Sequence, residues 1–484
     1  MSPELTIIAA LGVPLIGALL ILLTRANPNL RETVTLVTAT VTFVLVATLY
    51  PLVSGGASPS FVVGEMMPGL VIGFTLEPLG MLFSLIASFL WIITSLYAIG
   101  YMRGHHEKNQ TRFYFFFAVA IFATLGIAFA GNMLTLFIFY EFLTLSTFPL
   151  VTHAGTEKAK HAGRVYLGIL IGTSIGFMLV AIAWTWNATG TLDFKAGGIL
   201  EGKVTESAAG ILLLLYIFGI GKAALMPFHR WLPAAMVAPT PVSALLHAVA
   251  VVKAGVFTVI KVVVYIFGVD FLANGVTTDW LLYLSGFTII AASVIALRQD
   301  NLKRRLAYST ISQLSYVVMA TAILAPMSII GAVMHIAAHA FGKITLFFCA
   351  GSILVASHKT EVSQLDGIGR RMPWTMAAFA VGALSMIGIP PVAGFISKWY
   401  ILSGAFDSGQ MLAVGVIVLS TLLNAGYFLP IIYRAFFKNP VDDGEMHGEA
   451  PVPIVIALTI TASITFLIFL FPGPFLELAR QLIA

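Results

Sequence analysis

The segment HIAAHAFGKITLFF, residues 335 to 348, places three potential cations four residues apart in an otherwise apolar run. On a helix, His335, His339 and Lys343 lie within about 80° of one another and rise about 12 Å at 1.5 Å per residue. A charge at the centre of a bilayer costs from about 2.5 to over 10 kcal/mol. Because histidine titrates near neutral pH and has two ring nitrogens, this stripe favours a proton relay.

Other chemistry for the stripe is less well supported. A zinc site of the HExxH type needs its glutamate and a third ligand, and HIAAH has neither nearby. A b-type haem takes ligands from facing helices rather than from one. Core histidines held by hydroxyl groups are the plainer alternative to a relay. The sequence therefore predicts no metal and no cofactor.

The composition indicates the solvent in which these groups lie. The chain has 484 residues, of which 59% are hydrophobic and 10% charged. Soluble domains carry about 25% charged residues, so this composition indicates a membrane protein. The single cysteine, Cys349, excludes a disulfide framework, a Cys-ligated zinc site and an iron–sulfur cluster within the chain. No GxxxxGK[ST] motif indicates an ATP-driven pump.

Apolar segments long enough to cross a bilayer, about 20 residues each, recur along the whole chain. They predict an all-α polytopic membrane protein with fourteen spans and no soluble domain, the first span being a retained helix rather than a signal peptide. Their approximate bounds are 3–24, 33–53, 78–101, 113–130, 132–151, 165–187, 208–227, 241–268, 280–298, 305–323, 328–356, 373–402, 410–433 and 452–472.

The basic residues predict the orientation of these spans, since inner loops carry an excess of Lys and Arg. With the N-terminus outside, 18 of the 26 Lys and Arg residues fall in inner loops and 3 fall outside. We therefore expect a multi-pass protein of a bacterial or archaeal cytoplasmic membrane. Both termini are expected on the outer side.

The remaining five lysines lie inside predicted spans, together with one acidic residue, Glu141. Lys261 is near the outer end of its span, where we expect it to extend to interfacial water. A static partner that neutralises a lysine is the plainer interpretation of Glu141. The other lysines are too central for such an escape, and a nearby carboxylate that is neutralised or displaced would change their affinity for protons. They are Lys222, Lys253, Lys343 and Lys398.

Two spans contain prolines that should break them. LMPFHRWLP carries Pro227, and MIGIPPVAGFISKW carries the pair Pro390–Pro391. Proline removes a backbone donor and clashes with the preceding turn, and broken helices at membrane depth line polar cavities. Lys222 comes five residues before the first break and Lys398 seven after the second. The recurrence, about five spans apart, suggests two inverted repeats of five helices.

Residues 221–256, GKAALMPFHRWLPAAMVAPTPVSALLHAVAVVKAGV, resemble the most characteristic block of the antiporter-like proton-translocating subunits. These subunits occur in complex I, membrane-bound hydrogenases and Mrp-type Na⁺/H⁺ antiporters. FIFYEFLTLSTFPLV, NLKRRLAYSTISQLSYV, HIAAHAFGKITLFFCAGS and GIPPVAGFISKWYIL resemble further blocks in the expected order. The resemblance implies fourteen helices, inverted repeats over spans 4–8 and 9–13, and broken helices 7 and 12.

The same resemblance implies a division of the chain and a path of site residues. The parts are helices 1–3 in 1–112, the first repeat in 113–268, the second in 280–433 and helix 14 in 452–484. Glu141 resembles the glutamate that pairs with the lysine of span seven, here Lys222, and Lys253 resembles the connecting lysine of span eight. The rest are the central relay His335, His339 and Lys343, the terminal Lys398, where some members carry glutamate, and two further candidates, His247 and His229.

Two functions follow from this resemblance and remain open. In the first, the chain is a proton-translocating subunit of a multisubunit Na⁺/H⁺ antiporter, where proton movement drives Na⁺ export with partner membrane subunits. Residues 141–157 most resemble the D-type Mrp subunits, and the chain stops sooner after its last span than the largest family members do. In the second, it is a proton-pumping subunit of complex I or a hydrogenase. Either way, translocase activity is expected only within a complex, and no nucleic-acid partner is expected.

Overall fold

The structure, a computed structural model, describes residues 1–275, 278–440 and 447–483, and most of this length is helical. The helices of the first part are α1 Pro3–Leu23, α2 Pro28–Ser54, α3 Pro78–Gly104, α4 Gln110–Ala128, α5 Met133–Val151, α6 Glu157–Thr189, α7 Glu206–Gly219 and α8 Thr240–Phe267. Helices α6 and α8 contain π-helical turns at Ser174–Met178, Leu245–Val249 and Val262–Phe267.

The later helices follow the same pattern, with short turns between some of them. They are α9 Asp279–Leu297, α10 Leu302–Ala322, α11 Pro326–Ser357, α12 Pro373–Ile387, α13 Ala393–Asp407, α14 Met411–Phe437, α15 Val452–Leu470 and α16 Gly473–Gln481. Single-turn or short helices cover Gly221–Ala223, Trp231–Ala234, Ala235–Val237, Val269–Gly275, Val362–Gln364 and Ile368–Arg371.

Capping residues and prolines determine where the first helices begin. The side chains of Ser2 and Asn27 accept hydrogen bonds from the backbone N–H groups of Leu5 and Leu30, and a proline follows each cap. Such a cap contributes about 1 kcal/mol, and proline is favoured at the first helical position because its missing N–H has no partner there anyway.

The prediction of an all-α polytopic membrane protein is confirmed. Eleven of the described helices are long and apolar enough to cross a membrane. Helices α7 and α12 are apolar but shorter, because each ends where a predicted break begins. Helix α10 is 21 residues long but begins LKRR and carries Ser, Thr and Gln along its length, so its hydropathy is lower than that of its neighbours.

One element was not predicted from the sequence. Strands β1 Ser60–Met67 and β2 Leu70–Thr75 form an antiparallel hairpin where the sequence indicated only a polar connection. Residue Thr75 at its end is bound through its backbone N–H to the carbonyl of Phe129, 2.7 Å away. The hairpin is therefore fixed to the end of α4, beside the start of α3.

Helices α8 and α11 lie at the centre of the molecule. In their apolar stretches 94% and 83% of the residues are buried, against 33% for α14 and α2. Helix α11 packs against α3, α10, α12, α13, α15 and the first part of α8. Charged side chains on α8 and α11 therefore face other helices rather than lipid, which is what the cost of a lipid-exposed charge requires.

Both predicted helix breaks are present. Helix α7 ends at Gly219, and Lys222 lies in the single turn that follows rather than in the helix before the break. Helix α12 ends at Ile387, and α13 resumes at Ala393. Between them Gly388 has φ +89°, and a Cβ there would lie 2.6 Å from Cδ of Lys398, so only glycine suits both the turn and the packing.

Candidate functional site

The ionisable groups predicted to lie inside the membrane are almost all buried. Exposure is 0% for Lys222, Lys253 and Lys343, and 6% for Lys398. His335 and His247 are also 0% exposed, and His339 is 1% exposed. Glu141 and His229 are only partly buried. Because burying so many charges is unfavourable unless polar groups surround them, their hydrogen-bond partners decide what they can do.

The central contact joins α8 to α11. Nζ of Lys253 lies 2.6 Å from Nδ1 of His339, and the ring of His339 is 6.1 Å from that of His335. Nδ1 of His335 in turn lies 2.9 Å from the hydroxyl oxygen of Ser397 on α13. Nε2 of each histidine makes no hydrogen bond with the described protein atoms. Each ring therefore has one nitrogen engaged and one that can accept or donate a further proton.

A second branch starts from Lys343, the third member of the stripe. Its Nζ donates to the hydroxyl of Ser309 on α10 at 2.6 Å, and that hydroxyl lies 2.9 Å from the hydroxyl of Tyr427 on α14. The Tyr427 hydroxyl also contacts the amide oxygen of Asn424. Hydroxyl groups accept and donate through one atom and so can relay protons, whereas Asn424 uses separate atoms for the two roles and orders the chain.

The second helix break supplies the acceptors for Lys398. Its Nζ donates to the carbonyl oxygens of Met386 and Ile387 at 2.9 and 3.0 Å. These belong to the last turn of α12, where a helix leaves carbonyls unpaired. The Met386 carbonyl also accepts from the side-chain amides of Gln313 at 3.2 Å and Asn424 at 3.4 Å. This one oxygen therefore connects Lys398 to the branch that begins at Lys343.

Tyr316 provides a second link between Lys398 and the stripe. The ammonium nitrogen of Lys398 is 4.7 Å from the centroid of the Tyr316 ring, which stacks on His335 at 5.7 Å. The stripe thus points to three helices: His339 contacts Lys253 on α8, His335 contacts α13, and Lys343 contacts α10. The three groups share a face of α11, as the spacing predicted, but they do not contact one another in a single file.

Lys222 is held by α5 beside the first break. Its Nζ donates to the carbonyl of Tyr140 at 2.7 Å and to the hydroxyl of Thr144 at 2.6 Å, and it lies 3.2 Å from the centroid of the Tyr140 ring. Among the described residues no ion pair joins Lys222 to Glu141, and Oε1 of Glu141 is buried without a hydrogen bond. The expected Glu141–Lys222 pair is therefore not closed in this structure, although Glu141 directly follows the tyrosine whose carbonyl holds Lys222.

The expectation that Lys261 extends to interfacial water is wrong. Lys261 is 1% exposed and forms an ion pair with Glu77 at the start of α3. The segment between α6 and α7 covers this end of α8 and is bound to it by Ile199 N–H, which donates to the carbonyl of Ile266 at 2.9 Å. Glu77 reads as part of an outer loop in the sequence, so nothing marked it as a membrane-depth carboxylate.

The two further histidine candidates differ in their surroundings. His247 lies in a π-helical turn of α8, 4.7 Å from the ring of Phe347, and neither ring nitrogen has a hydrogen bond within the described part of the chain. His229 lies in the first break, with its ring 6.4 Å from that of Tyr308. The structure thus buries His247 near the centre and leaves His229 towards the edge.

Sequence reasoning missed the uncharged partners of the lysines. They are Tyr140, Thr144, Ser309, Gln313, Ser397, Asn424 and Tyr427. The one available signal was the run YSTISQLSY, which is unusually polar for a membrane span. Across the described residues there is no group of three or more His, Cys, Asp and Glu side chains that could hold a metal ion.

Comparison with known proteins places this site within a shared sequence pattern. The pattern of the family described as "NADH:quinone oxidoreductase/Mrp antiporter, TM" matches residues 130–424, a range that includes every path group from Glu141 to Lys398. NADH-quinone oxidoreductase subunit N of Desulforudis audaxviator is 33% identical over 427 residues, which cover 85% of this chain and 84% of that protein.

Other similarities extend to antiporters. A probable K(+)/H(+) antiporter component of Rhizobium meliloti is 31% identical over 84% of this chain, which spans only 41% of that longer protein. A chain in the solved structure of the Mrp complex from Dietzia sp. superposes with a TM-score of 0.89 at 20% identity, covering 100% of this chain and 97% of that one. At this identity the superposition shows a shared antiporter-like fold.

Proposed function

The chain belongs to the family of transmembrane subunits shared by NADH:quinone oxidoreductases and Mrp antiporters, and on that premise we propose that it translocates protons as one subunit of a multisubunit membrane complex. One observation carries this proposal. Lys253 and His339 lie 2.6 Å apart, fully enclosed between two central helices. Two basic groups in such contact cannot both hold a proton comfortably, so they are suited to passing one between them.

The architecture that we propose has fourteen spans in two inverted five-helix repeats. Helix α7 with the turns that reach Ala234 forms broken span 7, and α12 with α13 forms broken span 12. Helix α10 is the span that its polar residues hide from a hydropathy criterion. Spans 4–8 and 9–13 form the repeats, each with a lysine at its break. The loop charges support both termini on the outer side of a cytoplasmic membrane.

The specific complex that we propose is a Na⁺/H⁺ antiporter of the Mrp type, with this chain as its D-type subunit. The residues at 141–157 and the antiporter relative support this assignment. The alternative is an N-type subunit of a complex I-like oxidoreductase, which the similarity to the Desulforudis protein favours. The chain's own residues would do the same work in both complexes.

In this proposal a proton enters near Lys222 and moves to Lys253, and the contact with His339 passes it to α11. From there two routes lead to Lys398. One passes from His335 to Ser397, and the other from Lys343 through Ser309 to Tyr427. Each transfer needs an engaged donor and a free acceptor lone pair, and the unbonded histidine nitrogens provide the latter.

Purification of the intact complex through an affinity tag on this chain tests the assignment. We expect other antiporter subunits to co-purify, and we expect vesicles that contain the complex to exchange protons when Na⁺ is added to one side. Co-purifying quinone- or hydrogen-oxidising subunits, with proton movement that depends on their substrate, would assign the chain to the alternative. Full exchange by the isolated chain would contradict a subunit role.

Glu141→Gln is expected to reduce proton exchange about tenfold or more. Glu141 adjoins Tyr140, whose carbonyl holds Lys222, and a carboxylate near a buried ammonium group favours its charged form by about 1 to 3 pKa units. The measurement is Na⁺-dependent exchange by the assembled complex in vesicles. Glu157→Gln, at a side chain that is 82% exposed, serves as the control and should leave exchange unchanged. Near-normal exchange by the Glu141 variant would remove this residue from the mechanism.

A further inference from the structure

A buried ion pair lies at the end of α8, outside the path described above. Lys261 contacts the carboxylate of Glu77, and their side chains are 1% and 11% exposed. Glu77 occupies the N-cap position of α3, yet its side chain accepts no capping hydrogen bond. Apolar residues of similar size are often as stabilising as a buried ion pair, because desolvation offsets the attraction. Stability alone is therefore a weak reason for two charges at this depth.

Three aromatic rings surround the ammonium group of Lys261. Its Nζ lies 4.1 Å from the ring centroid of Phe194, 4.8 Å from that of Tyr265 and 5.7 Å from that of Phe257. Such rings attract a cation with about 0.5 to 2 kcal/mol each, more when water is excluded. The cage therefore favours a protonated lysine that has one polar partner, the carboxylate of Glu77.

The ion pair continues a row of groups along α8. Lys253, Phe257 and Lys261 follow one another at intervals of four in a regular stretch of helix, so they share a face and the two lysines are about 12 Å apart along the axis. Exposure rises from 0% at Lys253 to 11% for the side chain of Glu77. This is the order expected of a route from the centre to the surface, with Phe257 as an aromatic layer within it.

We propose that Glu77 and Lys261 form a proton-exchange site that connects Lys253 with the surface at the start of α3. The site rests on the proposed function of the chain as a proton translocator and gives its first half an opening beside the β1–β2 hairpin. Neither residue belongs to the set that the family resemblance implied.

The transfer step conserves atoms and charge. The ammonium group of Lys261 gives one proton to the carboxylate of Glu77, so an N–H bond breaks, an O–H bond forms, and a neutral amine and a neutral acid remain. The acid then passes the proton to water at the surface and becomes a carboxylate again. The amine accepts the next proton from the direction of Lys253. No oxidant, reductant or other reactant takes part.

Lys261→Arg is the decisive variant, because arginine keeps the positive charge and the ion pair but does not release its proton in proteins. Proton exchange is measured with a pH-sensitive dye inside vesicles that contain the assembled complex. A site that exchanges protons predicts a loss of about tenfold or more, equal to about 1.4 kcal/mol in the barrier, with normal assembly. Exchange within about twofold of the wild type would overturn the proposal.

A second pair of variants has a matched control. Glu77→Gln should lower exchange to a similar degree, whereas Glu32→Gln should not. Glu32 is also a buried carboxylate, 3% exposed and paired with Arg31 and Arg103, but it lies away from the path. The double variant Glu77→Leu, Lys261→Met removes both charges without leaving either unpaired, and it should assemble but exchange slowly.

Every result decides between a proton site and a structural pair. Wild-type rates in the double variant, or failure of all Glu77 and Lys261 variants to assemble, would show that the pair serves the fold alone. The wild-type complex in the same vesicles tests the proposed function separately. If the wild type does not exchange protons, that function fails; if it does and the variants match it, only the Glu77–Lys261 site fails.

Discussion

Lys253→Met is expected to slow proton exchange by the assembled complex about 70-fold or more. Lys253 is the one group of α8 in contact with His339, at 2.6 Å, so methionine would leave a proton without a carrier between the two halves. An unassisted charge at membrane depth costs at least about 2.5 kcal/mol, and each 1.36 kcal/mol in a barrier is a tenfold change in rate. Methionine fills a similar volume, so the helix packing should persist.

Thr258→Val is the matched control for this variant. Thr258 is also fully buried on α8, and its hydroxyl donates only to the Ala254 carbonyl of its own helix at 2.7 Å. We expect this variant to exchange protons at the wild-type rate. A Lys253→Met complex that assembles normally and exchanges at a rate near the wild type would show that protons bypass α8.

Lys398→Ala is expected to abolish exchange and also to destabilise the second break. Alanine removes the donor to the carbonyls of Met386 and Ile387, and a buried acceptor left unpaired costs about 1 to 3 kcal/mol. The apparent Tm of the complex should therefore fall along with the rate. Both effects are measured on one preparation, by thermal unfolding and by exchange in vesicles.

Lys398→Gln separates the two effects of that substitution. The glutamine amide can still donate to carbonyl oxygens, but it neither takes up nor releases a proton. We expect its Tm to lie closer to that of the wild type than the alanine variant's, with exchange as low as in the alanine variant. Full activity in either variant would remove Lys398 from the path.

The helix breaks and the buried lysines could be predicted from the sequence because their signals are local. The pair Pro390–Pro391 cannot continue a helix wherever it occurs, and Lys222 or Lys398 in an apolar segment is costly in any fold. The same logic placed His335, His339 and Lys343 on one face of α11, which the continuous helix from Pro326 to Ser357 bears out.

The partners of those groups could not be predicted, because uncharged polar residues occur in many spans without function. Ser309 and Tyr427 are 118 residues apart and meet only through the packing of α10 and α14. Lys261 illustrates the opposite failure. Its position near a span end suggested an interfacial residue, but the covering segment with Phe194 and the carboxylate of Glu77 enclose it. Only the tertiary structure determines which span ends are covered.

The carbonyl oxygen of Met386 has more donors than it can serve. It accepts from Lys398, Gln313 and Asn424 at 2.9, 3.2 and 3.4 Å, yet a carbonyl has two lone pairs. The donors therefore compete, and the charged lysine holds the shortest bond because ionised donors bind more strongly. When Lys398 loses its proton its advantage shrinks and the two amides gain. The protonation state of one side chain is thus transmitted to α10 and α14 through rivalry for a single atom.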